Sequence, residues 1–194
     1  LVPEADSAGL VARLWPDGHL NRAVIAQDAP RMIEALGLLG KVPQATRFVA
    51  VETRGIGPEH PLSGEKLSLV LALYRASDFT DATSIVARIL NHQGAGHSVG
   101  LHSIDDARAR HLAATLPTCR VIVNQAHCFA TGGAFNNGMP FSLSMGCGSW
   151  GGNSIDDNLN WRHFLQTTKI VREIPPREPT LDEIFSAYWQ VAGR

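Results

Sequence analysis

The chain is poor in the features that nucleic-acid binders, membrane spans and disulfide scaffolds require. Its 17 Lys and Arg are balanced by 18 Asp and Glu, a formal net charge of -1. No basic footprint results, and nucleic acid is not an expected partner. No apolar run reaches the ~20 residues that cross a bilayer, so no membrane partner is expected either. Leu1 opens no signal-peptide pattern, although a chain beginning inside a domain would show none. Only three cysteines occur, Cys119, Cys128 and Cys147. They are too far apart for a CxxC pair and odd in number, which favours a reducing, cytoplasmic setting. The histidines form no HxxxH or HxH pair with a suitable third ligand, so no metal site is expected. A P-loop ending, Rossmann glycine spacing, internal repeats and low-complexity tracts are also missing.

What is present is enough chain for one sizeable core: 194 residues, 44% hydrophobic. The apolar pattern alternates between helix-like and strand-like periods. Helices are expected at Asp6–Leu14, after the Asp28 cap with Pro30 in its first turn, after the Asp78 cap, and from Ser103 with Asp106. Strands are expected at Ala23–Ala26, Arg47–Glu52, Leu67–Tyr74, Ser98–His102 and Cys119–Asn124. Leu67–Tyr74 is almost wholly apolar, as for a strand buried on both faces. Strand–helix–strand–helix–strand from Leu67 to Asn124 argues for βαβ units and an α/β fold with a parallel sheet.

From Asn124 to Asn158 the pattern dissolves into Gly, Ser, Asn and aromatic residues, and a stretch of this kind is usually functional. A short helix near Asn158–Gln166, a strand at Lys169–Ile174 and a Pro-rich link follow. Thr180 and Glu183 then form a capping-box pattern for a helix bearing Leu181, Ile184, Phe185 and Tyr188.

Taken singly, the chemically capable residues leave alternatives open. The cluster Gly146–Gly152 suits either a tight packed turn or a ligand-lining loop. Cys147, between two glycines, and Cys128, beside His127, are reachable thiols, but a nucleophilic thiol needs a base or cation close by and none adjoins Cys147. Cys119 opens a buried strand and reads as core. His97 follows a Gly-Ala-Gly turn and could be structural or catalytic; His60, His102, His111 and His163 read as surface. Glu65, at the end of a long loop, could bind a ribose hydroxyl or cap backbone amides.

Together these segments resemble the acylating, CoA-dependent aldehyde dehydrogenases. Gly64–Tyr74 (GEKLSLVLALY) is similar to the family segment in which a loop glutamate precedes a core strand. Gly94–Ser98 (GAGHS) resembles its Gly-x-Gly-His-Thr/Ser element, and Thr118–Asn124 (TCRVIVN) its next strand. Leu143–Ser154 (LSMGCGSWGGNS) is close to its most recognisable signature, followed by Asp157-Asn158-Leu159 and a run ending in Lys169-Ile170-Val171. The motifs follow the family's order from about Leu1 to Ile174.

The resemblance implies the parallel-sheet catalytic domain of the aldehyde dehydrogenase superfamily over residues 1–166. Residues 167–194 would then supply a C-terminal oligomerisation strand and a helical tail, in a homodimer or homotetramer. It implies oxidation of an aldehyde by NAD or NADP, with CoA as co-substrate, through a cysteine thioester. The family's nucleophile and most of the dinucleotide domain lie ahead of the position matching Leu1. This chain is therefore expected to be the C-terminal portion, inactive alone, with an apolar face where the N-terminal part docks. Glu65 matches the glutamate at the nicotinamide ribose, Leu67 lies beside the ring, and His97 orients or deprotonates the CoA thiol. Gln125, His127, Cys128, Phe129 and Cys147 line the substrate pocket. The loop Gln125–Met139 departs from the acetaldehyde-type pattern and is more like enzymes acting on sulfoacetaldehyde or succinate semialdehyde. An anionic tail would call for His127, Gln125, Arg120 or loop amides. The competing readings are acetaldehyde as substrate, a non-catalytic binding or assembly module of the same fold, and a stand-alone thiol enzyme using Cys128 or Cys147.

Overall fold

The fold follows from a computed structural model in which residues 1–193 are described. The chain divides into two units, Leu1–Asn160 and Trp161–Arg194. The first unit is α/β with parallel strands. It opens with helix α1 (Ala8–Leu14), which presents Leu10 and Leu14 inward. Helix α2 (Ala29–Ala35) starts where Asp28 accepts a hydrogen bond from Arg31 N and Pro30 occupies the first turn. Strand β1 (Val49–Glu52) pairs in parallel with β2 (Val70–Leu73), Val49 opposite Val70, and Val2 bridges to Val51 on β1. Leu14, Met32, Leu36, Val51 and Val70 form the first core.

Helix α3 (Phe79–His92), capped by Asp78, leads to β3 (Val99–Leu101). Helix α4 (Asp106–Thr115) then crosses over to β4 (Val121–Val123), parallel to β3. Leu90, Val99, Leu112 and Leu116 make a second, smaller core beneath this βαβ unit. A single turn, α5 (His127–Ala130), follows β4.

Several expectations are corrected. Residues 23–26 are a turn, because Asn21 accepts from Ala23 N through its side chain and from Val24 N through its carbonyl. Helix α4 is capped by Asp105 rather than Ser103, whose hydroxyl instead holds Asp105 N. Ile104, expected on its apolar stripe, is fully exposed while Leu112 and Leu116 are buried. The strand expected over Leu67–Tyr74 is shorter, since Leu67 has φ +43° and cannot continue an extended chain. Nor is it covered on both faces: Leu67, Leu69, Leu71 and Leu73 are exposed in a period-two row. The strands pair as two two-stranded ladders instead of one continuous sheet.

In the second unit, Trp161–Phe164 is a 3-10 turn where a short helix was expected. Residues 169–174 take no regular secondary structure. A strand is stabilised by its ladder, so this segment needs a neighbouring strand to become one. Helix α6 (Leu181–Ala192) has its full capping box, with Thr180 and Glu183 exchanging side-chain and backbone hydrogen bonds. Its expected apolar face, Leu181, Ile184, Phe185 and Tyr188, lies open to solvent.

Candidate active site

The turn before β3 places His97. Gly96 has φ +87°, its N–H donates to Pro117 O, and its carbonyl accepts from Cys119 N. A Cβ there would lie 2.0 Å from Cys147 O, so only glycine permits this contact with the Gly146–Gly152 cluster. The cluster is therefore a packed turn against the histidine loop. Cys147 N–H within it donates to Asn153 Oδ1.

His97 lines a groove of about 920 Å³ together with Glu65, Leu67, Gln93, Tyr74 and Gly94. Three of the residues singled out by resemblance, Glu65, Leu67 and His97, thus share one depression. Two neighbours hold this rim. Gln93, at the end of α3, accepts from Glu65 N–H through Oε1 at 2.9 Å. Lys66 Nζ donates to Leu62 O and Gly64 O, which closes the loop on itself. Burial pulls the Lys66 amine below the ordinary lysine range, with the Glu65 carboxylate acting against it. Leu67 itself holds a left-handed conformation that costs about 1–3 kcal/mol for such a residue.

Of the remaining candidates, His127 is linked to His97 through Ser98. Ser98 Oγ is 2.5 Å from His97 Nδ1 and 2.7 Å from His127 Nε2. Gln125 Oε1 accepts from Asn137 Nδ2. Cys128 and Phe129, on the same short turn as His127, are exposed. Burial holds the Cys119 thiol above its ordinary pKa, with the Arg120 guanidinium opposing, which disfavours the thiolate.

A buried hub that the sequence reading missed fixes these loops. Arg120, 5% exposed, donates from Nε to Asn158 Oδ1 and from Nη1 to His97 O and Gly146 O. Asn158, fully buried, donates from Nδ2 to Thr131 O and Pro140 O. The signal available was a lone arginine inside an otherwise apolar strand, Cys119–Val123, since a buried charge requires partners. Arg120 Nη2 is buried without a hydrogen-bond partner.

Burial lowers the pKa of His127 from the ordinary 6.5, and His97 adds to the effect. The folded state thus resists protonating it, while the unfolded chain takes the proton at the ordinary value. Stability from this group is present above that value and is lost as pH falls through the lowered one. We expect the melting temperature to decline on acidification from neutral pH to about pH 5, and less steeply in His127→Gln. Equal slopes in the two proteins would count against a buried neutral imidazole.

No protein-family profile matches the chain. Individual relatives do. It is 46% identical over 194 residues to the acylating sulfoacetaldehyde dehydrogenase of Cupriavidus necator, an alignment covering 100% of this chain and 39% of that protein. It is 35% identical over 157 residues to the acetylating succinate-semialdehyde dehydrogenase of Clostridium kluyveri, covering 81% and 34% respectively. Among solved structures, an acetylating aldehyde dehydrogenase from Geobacillus thermoglucosidasius superposes with a TM-score of 0.78 at 28% identity, over 90% of this chain and 38% of the other. The chain thus spans well under half the length of these relatives. Within that span the motifs, the α/β architecture and the sequence identity agree: the chain belongs to the acylating aldehyde dehydrogenase family.

Proposed function

We propose that this chain is the C-terminal part of an NAD(P)- and CoA-dependent enzyme that oxidises an aldehyde to an acyl-CoA. The observation that carries the reading is the shared groove of Glu65, Leu67 and His97. An exposed carboxylate beside an exposed leucine fits a nicotinamide riboside, the acid accepting from ribose hydroxyls and the leucine lying against the ring. When bound, the nicotinamide supplies the hydride acceptor. His97, which lines the same groove, is assigned to orient and deprotonate the CoA thiol. Residues 1–166 serve as the catalytic-domain segment, and the nucleophilic cysteine comes from a part of the enzyme outside this chain. Residues 167–194 act as the assembly arm of a homo-oligomer. The apolar row on β2 is the face against which the rest of the enzyme packs. No helix among the described residues is long and apolar enough to cross a membrane, and we place the enzyme in the cytoplasm.

For the aldehyde we favour a short molecule with an anionic tail, sulfoacetaldehyde before succinate semialdehyde or acetaldehyde. A cavity of about 370 Å³ is lined by Arg120, Gln125, Asn137 and Met139, and a guanidinium in its wall suits a sulfonate or carboxylate. Gln125, His127, Cys128, Phe129 and Cys147 complete the proposed pocket. The full-length enzyme should form NAD(P)H with these three aldehydes only when CoA is present for repeated turnover, with sulfoacetaldehyde preferred. His97→Ala should slow CoA-dependent turnover by about 100-fold. CoA-independent release of free acid at an undiminished rate would refute the acylating assignment.

A further inference from the structure

We propose that Ser98 and His127 form a proton path behind His97, so that the charge His97 gains on taking a thiol proton is passed through a serine hydroxyl to a second imidazole. This rests on the reading of His97 as the base for a thiol co-substrate. The geometry supplies the rest. Ser98 Oγ stands between His97 Nδ1 and His127 Nε2, at 2.5 and 2.7 Å. A hydroxyl has one proton, so it can donate to only one of the two rings and must accept from the other. If His97 Nδ1–H donates to Ser98, the hydroxyl donates to His127 Nε2. In that arrangement His97 Nε2 carries a lone pair and is the basic nitrogen left for the groove.

The site is built to hold His127 in this role. A Cβ on Gly100 of β3 would stand 2.8 Å from His127 Nδ1, so glycine makes the room in which the ring lies. Thr131 Oγ1 and Thr131 N–H both donate to His127 O and fix the turn that carries it. The path is also held from below, because Arg120 Nη1 donates to the carbonyl of His97. The charged and titratable groups packed on the path are thus His97 itself and the Arg120 guanidinium; burial and His97 both disfavour a charged His127, so a proton that reaches it is passed on and not kept.

The step balances. The thiol S–H bond breaks and its proton joins His97 Nε2. His97 Nδ1–H passes to Ser98 Oγ while the Ser98 O–H proton passes to His127 Nε2. His97 ends neutral with its proton on Nε2, Ser98 ends as a hydroxyl, and His127 ends as an imidazolium. The half-buried His127 ring then releases its Nδ1 proton to water, which restores neutrality. No oxidant or reductant is involved, and the net change is thiol to thiolate plus a solvated proton. Ser98 and His127 act through His97 and are positioning residues.

The test uses the full-length enzyme, with acyl transfer to CoA measured against the burst of reduced nicotinamide. Ser98→Ala and His127→Gln should each slow acyl transfer by about tenfold or more. Both leave His97 to act alone, so both should move the acid limb of the transfer pH profile by the same amount, with kcat falling and the KM for CoA little changed. Ser98→Thr, which keeps the hydroxyl, should recover most of the loss. A purely structural role would not move the two pH profiles together. If Ser98→Ala and His127→Gln transfer at the wild-type rate while His97→Ala is slow, the proton path is overturned and the base assignment stands. If His97→Ala itself transfers at the wild-type rate, the base assignment falls and the path with it.

Discussion

Arg120→Met is expected to lower the melting temperature of the enzyme by about 10 °C. The arginine lies on β4 and its guanidinium satisfies three acceptors: Asn158 Oδ1, His97 O and Gly146 O. Methionine keeps the apolar stem but returns no donor, so one buried and two part-buried oxygens lose a charged partner. Each such loss costs about 1–3 kcal/mol. Removing the partnerless Nη2 offsets part of this. A net loss of about 3–5 kcal/mol, the usual range for breaking a buried charged contact, corresponds to a shift of that size in melting temperature. Arg120→Lys keeps the charge without the planar fork and should fall between the two. A methionine variant melting within about 2 °C of wild type would show that the hub is not what holds the loops.

The second large effect is expected at Gly96. In Gly96→Ala the new methyl would meet Cys147 O at 2.0 Å, and φ +87° is a region that an L side chain rarely adopts. Both penalties are relieved only if the turn leading to His97 moves away from the Gly146–Gly152 cluster. A displacement of about 1 Å in a positioned catalytic group costs on the order of 100-fold in rate. Acyl transfer to CoA should therefore fall by about that factor, beyond any loss of stability. Gly9→Ala is the control: it lies in α1 with nothing within 4 Å of the added methyl, and it should be neutral or mildly stabilising. Undiminished transfer in Gly96→Ala would mean that the contact with Cys147 does not set the position of His97.

Features decided by near neighbours were legible in the sequence. The caps at Asp28 and Asp78 and the box of Thr180 with Glu183 stand where the residues predict, because each is settled within three positions of chain. The βαβ run through α4 was readable from its length and period. Where a distant partner decides, the reading failed. Ala23–Ala26 has strand-like composition but is wound by Asn21, and residues 169–174 have strand-like residues without a ladder. The active region divided in the same way. Glu65, Leu67 and His97 were singled out through motif resemblance, and the structure places all three on one groove. The contacts of Ser98 with His127 and of Asn158 with Arg120 were passed over, because a partner 29 or 38 residues away leaves no periodic trace.

Those same separations bear on the order in which the enzyme assembles. The Arg120–Asn158 hub ties together chain segments 18 to 38 residues apart, so it closes only after several loops have paid their closure entropy. The helices and the two parallel ladders can form while these loops are still open. Catalytic competence should accordingly lag behind the recovery of helical signal during refolding, and heat should abolish turnover before it melts the scaffold.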